Sequence, residues 1–106
     1  MLNTLGAGFL EKVYENALAH ELRKAGLAVA QQRGATVMYD GVVVGEYFVD
    51  LMVEEALLVE LKTVKALDDA HRAQCVNYLK ATGLQLCLLL NFARPSLEIR
   101  RVVNRL

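Results

Sequence analysis

The sequence is poor in cysteine and has no net charge. Cys75 and Cys87 are its only cysteines, and they lie far apart, without the CxxC spacing of redox or zinc motifs. Each is surrounded by apolar residues, which predicts two buried thiols rather than a metal or redox pair. The 12 Lys and Arg residues balance the 12 Asp and Glu residues, so the overall charge does not indicate a general nucleic-acid binder.

Long apolar runs and linkers are also missing. No run reaches the roughly 18 uncharged apolar residues of a membrane span, and residues 1–4 lack the charged and apolar regions of a signal peptide. We therefore expect a cytoplasmic protein without a membrane partner. Pro95 is the one proline, and no repeat or linker divides the chain, so residues 1–106 are expected to form a single domain.

Apolar residues, in contrast, are abundant. They make up 55% of the chain, and the mean hydropathy is +0.28. For so small a protein, these values predict a well-filled core and an apolar patch buried in a homodimer. Residues 93–106 contain four arginines, the last of them Arg105, and one glutamate. This basic segment is expected either to contact phosphate or to form a solvated strand end.

Periodicity and turn residues predict an αβββαβ order with a further strand at the end. An apolar stripe predicts a helix at 9–25, and Asp68 or Asp69 begins a second helix that ends at Thr82, before Gly83. Gly34 is expected to interrupt or bulge the first strand. The predicted strands are 27–39, 42–53, 57–62, 84–92 and 97–103, the last at an edge.

The helix between strands 57–62 and 84–92 forms a crossover, which favours parallel pairing of these strands. The predicted fold class is therefore α/β (α+β), with a mixed central sheet that has a helix packed on each side.

The predicted hairpin 45–64 contains Asp50 and Glu60, charged residues with apolar neighbours on both sides in the sequence, and Lys62, two residues after Glu60. If its turn is centred on Glu55, Asp50 lies directly opposite Glu60, and the two carboxylates repel each other by about 3 kcal/mol at ~5 Å. Lys62 can offset part of this repulsion, and Mg²⁺ would offset it better, because it prefers oxygen ligands. With a two-residue turn the carboxylates become diagonal neighbours instead.

Several motifs resemble those of one nuclease family. Asp50, followed after nine residues by Glu60-Leu61-Lys62, resembles the D…ExK core of the PD-(D/E)XK nuclease superfamily. Gln74 and Tyr78 match its QxxxY element. The run from Gly8 through Glu11 to Tyr14 is similar to the motif of the GxxExxY family. Val49 stands where the superfamily's name has proline, and relatives usually have a further N-terminal helix, which is expected to be missing here.

The resemblance implies a restriction-endonuclease-like αβββαβ core and a metal-dependent nuclease. Asp50, Glu60 and the main-chain carbonyl of Leu61 would hold Mg²⁺ or Mn²⁺, with Glu11 as an outer or direct ligand. Lys62 would orient or help deprotonate a water. The implied site is completed by two residues of the second helix, Gln74 and Tyr78. The implied substrate is DNA rather than RNA, in repair, recombination or defence.

Non-catalytic interpretations of these residues stay open. The domain could be a non-catalytic module that binds nucleic acid or a protein, and the three charges could form a structural ion cluster. Glu11 could serve only as a partner of the helix dipole. His71 is expected to be a partly exposed residue at the start of its helix, or else a phosphate contact.

Three further residues of this region carry structural expectations. We expect Glu15 to be solvated. Tyr14 and Tyr47 are expected in the core.

Overall fold

A five-stranded sheet with helices on both faces forms the protein, as seen in a computed structural model that describes residues 1–104. Arg105 lies outside the described residues. The elements are α1 (Leu2–Leu5), α2 (Glu11–Lys24), β1 (Val29–Tyr39), β2 (Val42–Val53), β3 (Leu57–Lys62), α3 (Asp69–Thr82), β4 (Leu86–Asn91) and β5 (Glu98–Val103). The predicted αβββαβ order is confirmed.

The sheet is mixed, in the order β1-β2-β3-β4-β5. The pair β3–β4 is parallel and the other three pairs are antiparallel. The crossover through α3 therefore produces the predicted parallel pair, and β5 lies at an edge as expected. Strand β3, which contains Glu60 and Lys62, is the central strand and is paired on both sides.

The register between β2 and β3 positions the charged residues. Leu51 pairs with Val59 and Val53 with Leu57, which confirms a three-residue turn centred on Glu55. This turn is tight, since Glu54 and Glu55 have φ angles of 55° and 52°. Continued by one residue, the same register brings Asp50 opposite Glu60.

Strand β1 differs from the expectation at Gly34. This glycine does not interrupt the strand but pairs with Phe48. The irregularities lie elsewhere: the register shifts after Val37, and Gln32 has a φ angle of 53°. A positive φ is uncommon for a residue with a side chain, because its Cβ then crowds the backbone. The strand is therefore distorted at Gln32, beside the middle of β2.

Helix α3 begins and ends where its capping residues predict. The Asp68 carboxylate accepts a hydrogen bond from the His71 N–H, and His71 Nδ1 accepts one from the Asp68 N–H, both at 3.1 Å. Gly83 closes the helix with a φ angle of 75°. His71 thus caps the start of α3 and is partly exposed there, as one of the two interpretations held.

Two apolar clusters cover the two faces of the sheet. Tyr14 of α2 packs on one face against Leu61 and Phe92, and Leu79 of α3 packs on the other. The α3 cluster also contains Cys75, and both cysteines of the chain are buried free thiols, as predicted. Within the described residues, no helix is long and apolar enough to cross a membrane.

Some apolar residues lie outside these clusters. The hairpin tip, residues 38–44, has apolar side chains that belong to neither cluster. Its large apolar side chains are each more than half exposed: Met38, Tyr39, Val42, Val43 and Val44. Tyr47, just beyond the tip, is 50% exposed, so its predicted place in the core is wrong.

Candidate active site

The side chains of Asp50 and Glu60 accept backbone hydrogen bonds at the end of the β2–β3 pairing, where main-chain carbonyls would otherwise be the acceptors. The Asp50 N–H donates to Glu60 Oε1 at 2.8 Å, and the Leu61 N–H donates to Asp50 Oδ2 at 2.9 Å. Each carboxylate is therefore fixed by the backbone of the opposite strand. Because the strands themselves hold both side chains, the pair is preorganised within the sheet.

The surroundings of this pair disfavour its negative charge. Glu60 is only 4% exposed, and burial, followed by the charge of Asp50, raises the pKa of Glu60 to about 8. Burial also raises the pKa of Asp50. Among the residues that the structure describes, neither carboxylate forms an ion pair. A bound cation would compensate these charges, so the electrostatics fit a metal site.

Lys62 lies two residues after Glu60, on the same face of β3. Its Nζ donates to Gln74 Oε1 at 3.0 Å, so α3 fixes the position of the ammonium group. Tyr78, one turn further along α3, is buried. Burial, then Glu60, then Asp50 raise the pKa of Tyr78 to about 12, which keeps its hydroxyl protonated. Lys62, Gln74 and Tyr78 thus lie beside the carboxylate pair.

Glu11 is the first residue of α2 and is exposed. Partial desolvation of its carboxyl still raises the pKa of Glu11, the charge of Lys62 opposes this rise, and the charge of Asp50 adds to it. Glu11 is thus within electrostatic reach of the site. Residues 1–104 nevertheless contain no group of three or more His, Cys, Asp and Glu side chains that could hold a metal ion. The structure brings Asp50 and Glu60 together, with Glu11 further away.

Tyr14 fixes the start of the helix that carries Glu11. Its hydroxyl donates to the Gly6 carbonyl at 2.6 Å and accepts the Phe9 N–H at 3.2 Å. Its ring stacks on Phe92 at 4.8 Å between centroids. Tyr14 is fully buried, which confirms its predicted place in the core. Helix α2 has no side-chain N-cap, and this tyrosine anchors the segment that leads into it.

Two residues near Asp50 were not predicted as part of the site. Glu15, expected to be solvated, is 3% exposed, and the expectation is wrong. Its carboxylate accepts hydrogen bonds from Lys12, Gln31 and Gln32 at 2.7–2.9 Å. Gln32 Nε2 also donates to Asp50 Oδ1 at 3.2 Å. A chain of hydrogen bonds therefore leads from α2 through the distorted residue of β1 to Asp50.

A faint signal for this network exists in the sequence. Gln31 and Gln32 are adjacent amides that follow the apolar run 27–30, and amides within a strand suggest a polar partner across it. Nothing in the helical pattern singled out Glu15, because it lies beside the apolar stripe rather than on it.

A carboxylate pair with a neighbouring carbonyl suits Mg²⁺. This ion takes oxygen ligands, keeps several waters and needs only one or two protein carboxylates. Asp50 and Glu60 supply two, and the Leu61 N–H that bonds Asp50 places the backbone of Leu61 beside them. The donor set thus fits the ion without a third carboxylate.

A family model describes almost the whole chain. The model of the PD-(D/E)XK nuclease superfamily matches residues 1–102. The chain belongs to this superfamily. The Asp50, Glu60 and Lys62 arrangement on β2 and β3 lies within the matched range. No curated protein sequence matches the chain significantly.

Two solved structures share the fold. The crystal structure of SSO0001 has a TM-score of 0.66 and 13% identity, over 90% of this chain and 50% of its own. An alkaline exonuclease, LHK-Exo from Laribacter hongkongensis, has a TM-score of 0.64 and 14% identity, over 89% of this chain and 56% of its own. The predicted restriction-endonuclease-like core is thereby confirmed. The chain spans about half the length of each of these proteins.

Proposed function

We propose that this protein is a nuclease that hydrolyses DNA phosphodiester bonds with Mg²⁺ or Mn²⁺, and that it belongs to the GxxExxY family. The main support is the pair formed by the buried Glu60 and the partly buried Asp50, which has no ion-pair partner among the described residues and lies beside an ammonium group held by Gln74. Superfamily membership supports it, since these nucleases generally use divalent metals.

Free buried thiols suit a reducing compartment, the cytoplasm.

The metal in this proposal is held by Asp50, Glu60 and the carbonyl of Leu61. Glu11 contributes from the first turn of α2, as an outer or direct ligand. When bound, the ion polarises a phosphoryl oxygen and lowers the pKa of water. The fixed backbone hydrogen bonds of the two carboxylates hold these ligands in place before any ion binds, which lowers the entropic cost of forming the site.

The other site residues position the substrate and transfer charge. The Lys62 ammonium orients the attacking water and stabilises negative charge on the phosphate. Gln74 has one acceptor oxygen on that ammonium and so restricts its rotation. Tyr78 remains a neutral hydroxyl and can donate a hydrogen bond to a phosphate oxygen.

A cleavage assay tests this proposal. Purified protein is incubated with fluorescent single-stranded DNA, duplex DNA and RNA in Mg²⁺, Mn²⁺ or chelator. We expect metal-dependent cleavage of DNA, reduced about 100-fold or more in Glu60→Gln and Lys62→Met. The matched controls Glu55→Gln and Lys24→Met alter exposed residues of the same types and should cleave normally. Cleavage that persists unchanged in both site variants would refute the proposal.

A non-catalytic binding module is the second candidate function. Its support is that residues 1–104 hold no third metal-binding side chain close to Asp50 and Glu60. Calorimetric titration with Mg²⁺ and Mn²⁺ distinguishes the two. Binding that disappears in Asp50→Asn and Glu60→Gln favours the nuclease, whereas nucleic-acid binding without metal binding or cleavage favours the module.

We also propose that the protein forms a homodimer through the hairpin tip. The tip exposes five large apolar side chains, and it ends the edge strand β1. Edge strands pair readily with a second copy, and a twofold axis brings identical patches together. An apolar patch on one copy is thus matched by the same patch on the other.

A further inference from the structure

Two adjoining clefts lie between α3 and the β1–β2 hairpin. The one near the site has a volume of about 330 Å³ and is lined by Gln74 and Tyr78. The other has about 560 Å³ and is lined by Lys80. Tyr47 and Asn77 line both. The clefts therefore form one continuous path along α3, which starts beside the Lys62–Gln74 hydrogen bond.

The walls of this path favour an anionic ligand. Lys80 is the one charged residue among the described residues that line the two clefts, and none of the lining residues is acidic. Lys80 is exposed, and it lies about 1.7 turns of α3 beyond Gln74. At the other end, the Lys62 ammonium contacts the Gln74 side chain. A chain of phosphates along this path would meet a cation at each end.

Tyr47 adds an aromatic surface between these two cations. Half of the residue is exposed, and its ring centroid lies 5.7 Å from that of Tyr78, at an angle of 55°. Exposed aromatic rings next to cationic groups are typical of single-strand nucleic-acid sites, because an unpaired base stacks on the ring. A base inside a duplex is already stacked on its neighbours and cannot use the ring.

We propose that this path binds a single-stranded segment of nucleic acid that leads to the active site. One base stacks on Tyr47, Asn77 donates a hydrogen bond to the strand, and Lys80 contacts a backbone phosphate. The proposal rests on the proposed nuclease function and specifies the form of its substrate, a strand that is unpaired next to the scissile phosphate.

The test measures binding separately from cleavage. Fluorescence anisotropy follows a labelled oligothymidylate of about 15 nucleotides, its RNA counterpart and a duplex, in chelator, so that metal-dependent cleavage does not occur. The variants are Tyr47→Ala, Tyr47→Phe and Lys80→Met. Phe48→Ala is the matched control, since Phe48 is 56% exposed and its side chain points to the opposite face of β2. Lys24→Met controls for the loss of a surface charge.

We expect Tyr47→Ala to bind the single strand about tenfold more weakly, while Tyr47→Phe binds like the unmodified protein because it keeps the ring. Lys80→Met should lower the slope of log affinity against log salt by about 0.7, the value for one phosphate of a single strand. Both controls should behave like the unmodified protein. Equal losses for the DNA and RNA oligonucleotides would also support the proposal, because the contacted base and phosphate are common to both.

Three results would overturn the proposal. These are an unchanged affinity in Tyr47→Ala, an unchanged salt slope in Lys80→Met, and tighter binding of duplex than of single strand. The salt slope of Lys80→Met keeps the test decisive if Tyr47→Ala does not fold. If the unmodified protein cleaves DNA and these variants bind oligonucleotide normally, the path is refuted and the nuclease is not. If the variants weaken binding and the unmodified protein does not cleave, the nuclease is refuted and the path is not.

Discussion

Among the described residues, Gln74 fixes the side chain of Lys62, whose ammonium group donates to the Gln74 amide oxygen at 3.0 Å. A lysine side chain has about 2 kcal/mol of rotamer entropy, so an unrestrained ammonium would spend most of its time away from a reacting phosphate. In the proposed nuclease, this contact between β3 and α3 should therefore affect the rate of cleavage more than substrate binding.

We therefore predict that Gln74→Leu lowers kcat about 10- to 100-fold and changes KM little, because a small displacement of a reacting group is costly while binding contacts remain. Steady-state cleavage kinetics measure both constants. Gln85→Leu, an exposed glutamine outside the site, is the control. If Gln74→Leu raises KM and leaves kcat unaltered, Gln74 binds substrate and does not position Lys62.

Glu60 should make the metal-free protein less stable as the pH rises. Its pKa is about 8 in the folded protein and 4.5 when unperturbed, so the folded state binds the proton more tightly. The stabilisation is fully present below pH 4.5 and is lost as the pH rises through about 8, at up to ~1.4 kcal/mol per pH unit.

Glu60→Gln removes this charge and keeps an oxygen that can accept the Asp50 N–H. We predict that, in chelator at pH 8, it raises the free energy of unfolding by about 1–3 kcal/mol, and that added Mg²⁺ stabilises the unmodified protein only. Thermal melts with and without chelator measure this, with Glu55→Gln as the control. A destabilised Glu60→Gln would instead support the structural ion cluster.

The carboxylate pair could be located from the sequence, but its supporting residues could not. Asp50 and Glu60 follow from the alternation of the strands and a turn centred on Glu55, which are local properties. Glu15 and Gln32 approach Asp50 only after α2 docks on β1. The burial of Glu15 depends on this tertiary contact, which a helical periodicity does not report.

At the level of elements, strand β1 is distorted at the residue that contacts the site. Gln32 keeps a φ angle of 53° while its amide joins Glu15 to Asp50. The two hydrogen bonds of the Gln32 amide, to Glu15 and to Asp50, therefore favour a backbone conformation that costs about 1–2 kcal/mol for a residue with a Cβ.

Two substitutions at this position separate the side chain from the backbone. Gln32→Ala and Gln32→Gly both lose the amide, but only glycine adopts a positive φ without cost. We predict that Gln32→Gly is about 1 kcal/mol more stable than Gln32→Ala in urea unfolding. The same pair made at the regular strand residue Gln31 should show the reverse order. If alanine is the more stable residue at position 32, the backbone there is not strained.

The sequence predicts the bounds of helix α3 better than the irregularity of strand β1. Helix α3 was placed correctly because Asp68 and Gly83 cap it with local hydrogen bonds and a local φ angle. The expected interruption or bulge of strand β1 at Gly34 is wrong, since a glycine permits a bulge without requiring one. The distortion lies instead at Gln32, whose amide bonds to Glu15 on another element.

At the scale of the whole molecule, the hairpin tip exposes a group of large apolar side chains that the core does not bury. Its apolar residues account for part of the high hydropathy of the chain, and we predict that Val43→Lys prevents dimer formation by placing a charge in the apolar contact. Sedimentation velocity over a range of concentrations measures the oligomeric state. Val103→Lys, at the opposite edge of the sheet, is the control, and a protein that is monomeric without any substitution contradicts the proposed dimer.

The layered architecture was predictable because two amphipathic helices and five apolar strands have few ways to bury their faces. The exposure of Tyr47 and of the hairpin tip was not, because apolar composition does not tell which strand residues the helices cover. The path along α3 depends on this exposure at Tyr47, which lines both clefts.

The N–H groups of Asp50 and Leu61 bond to ionisable oxygens rather than to main-chain carbonyls. Their proton chemical shifts in a nuclear magnetic resonance spectrum should therefore follow the charge of the two carboxylates. The Asp50 amide reports on Glu60, and the Leu61 amide reports on Asp50. The sheet thus contains two internal probes, which would record protonation or the arrival of an ion residue by residue, in solution and without any label at the site.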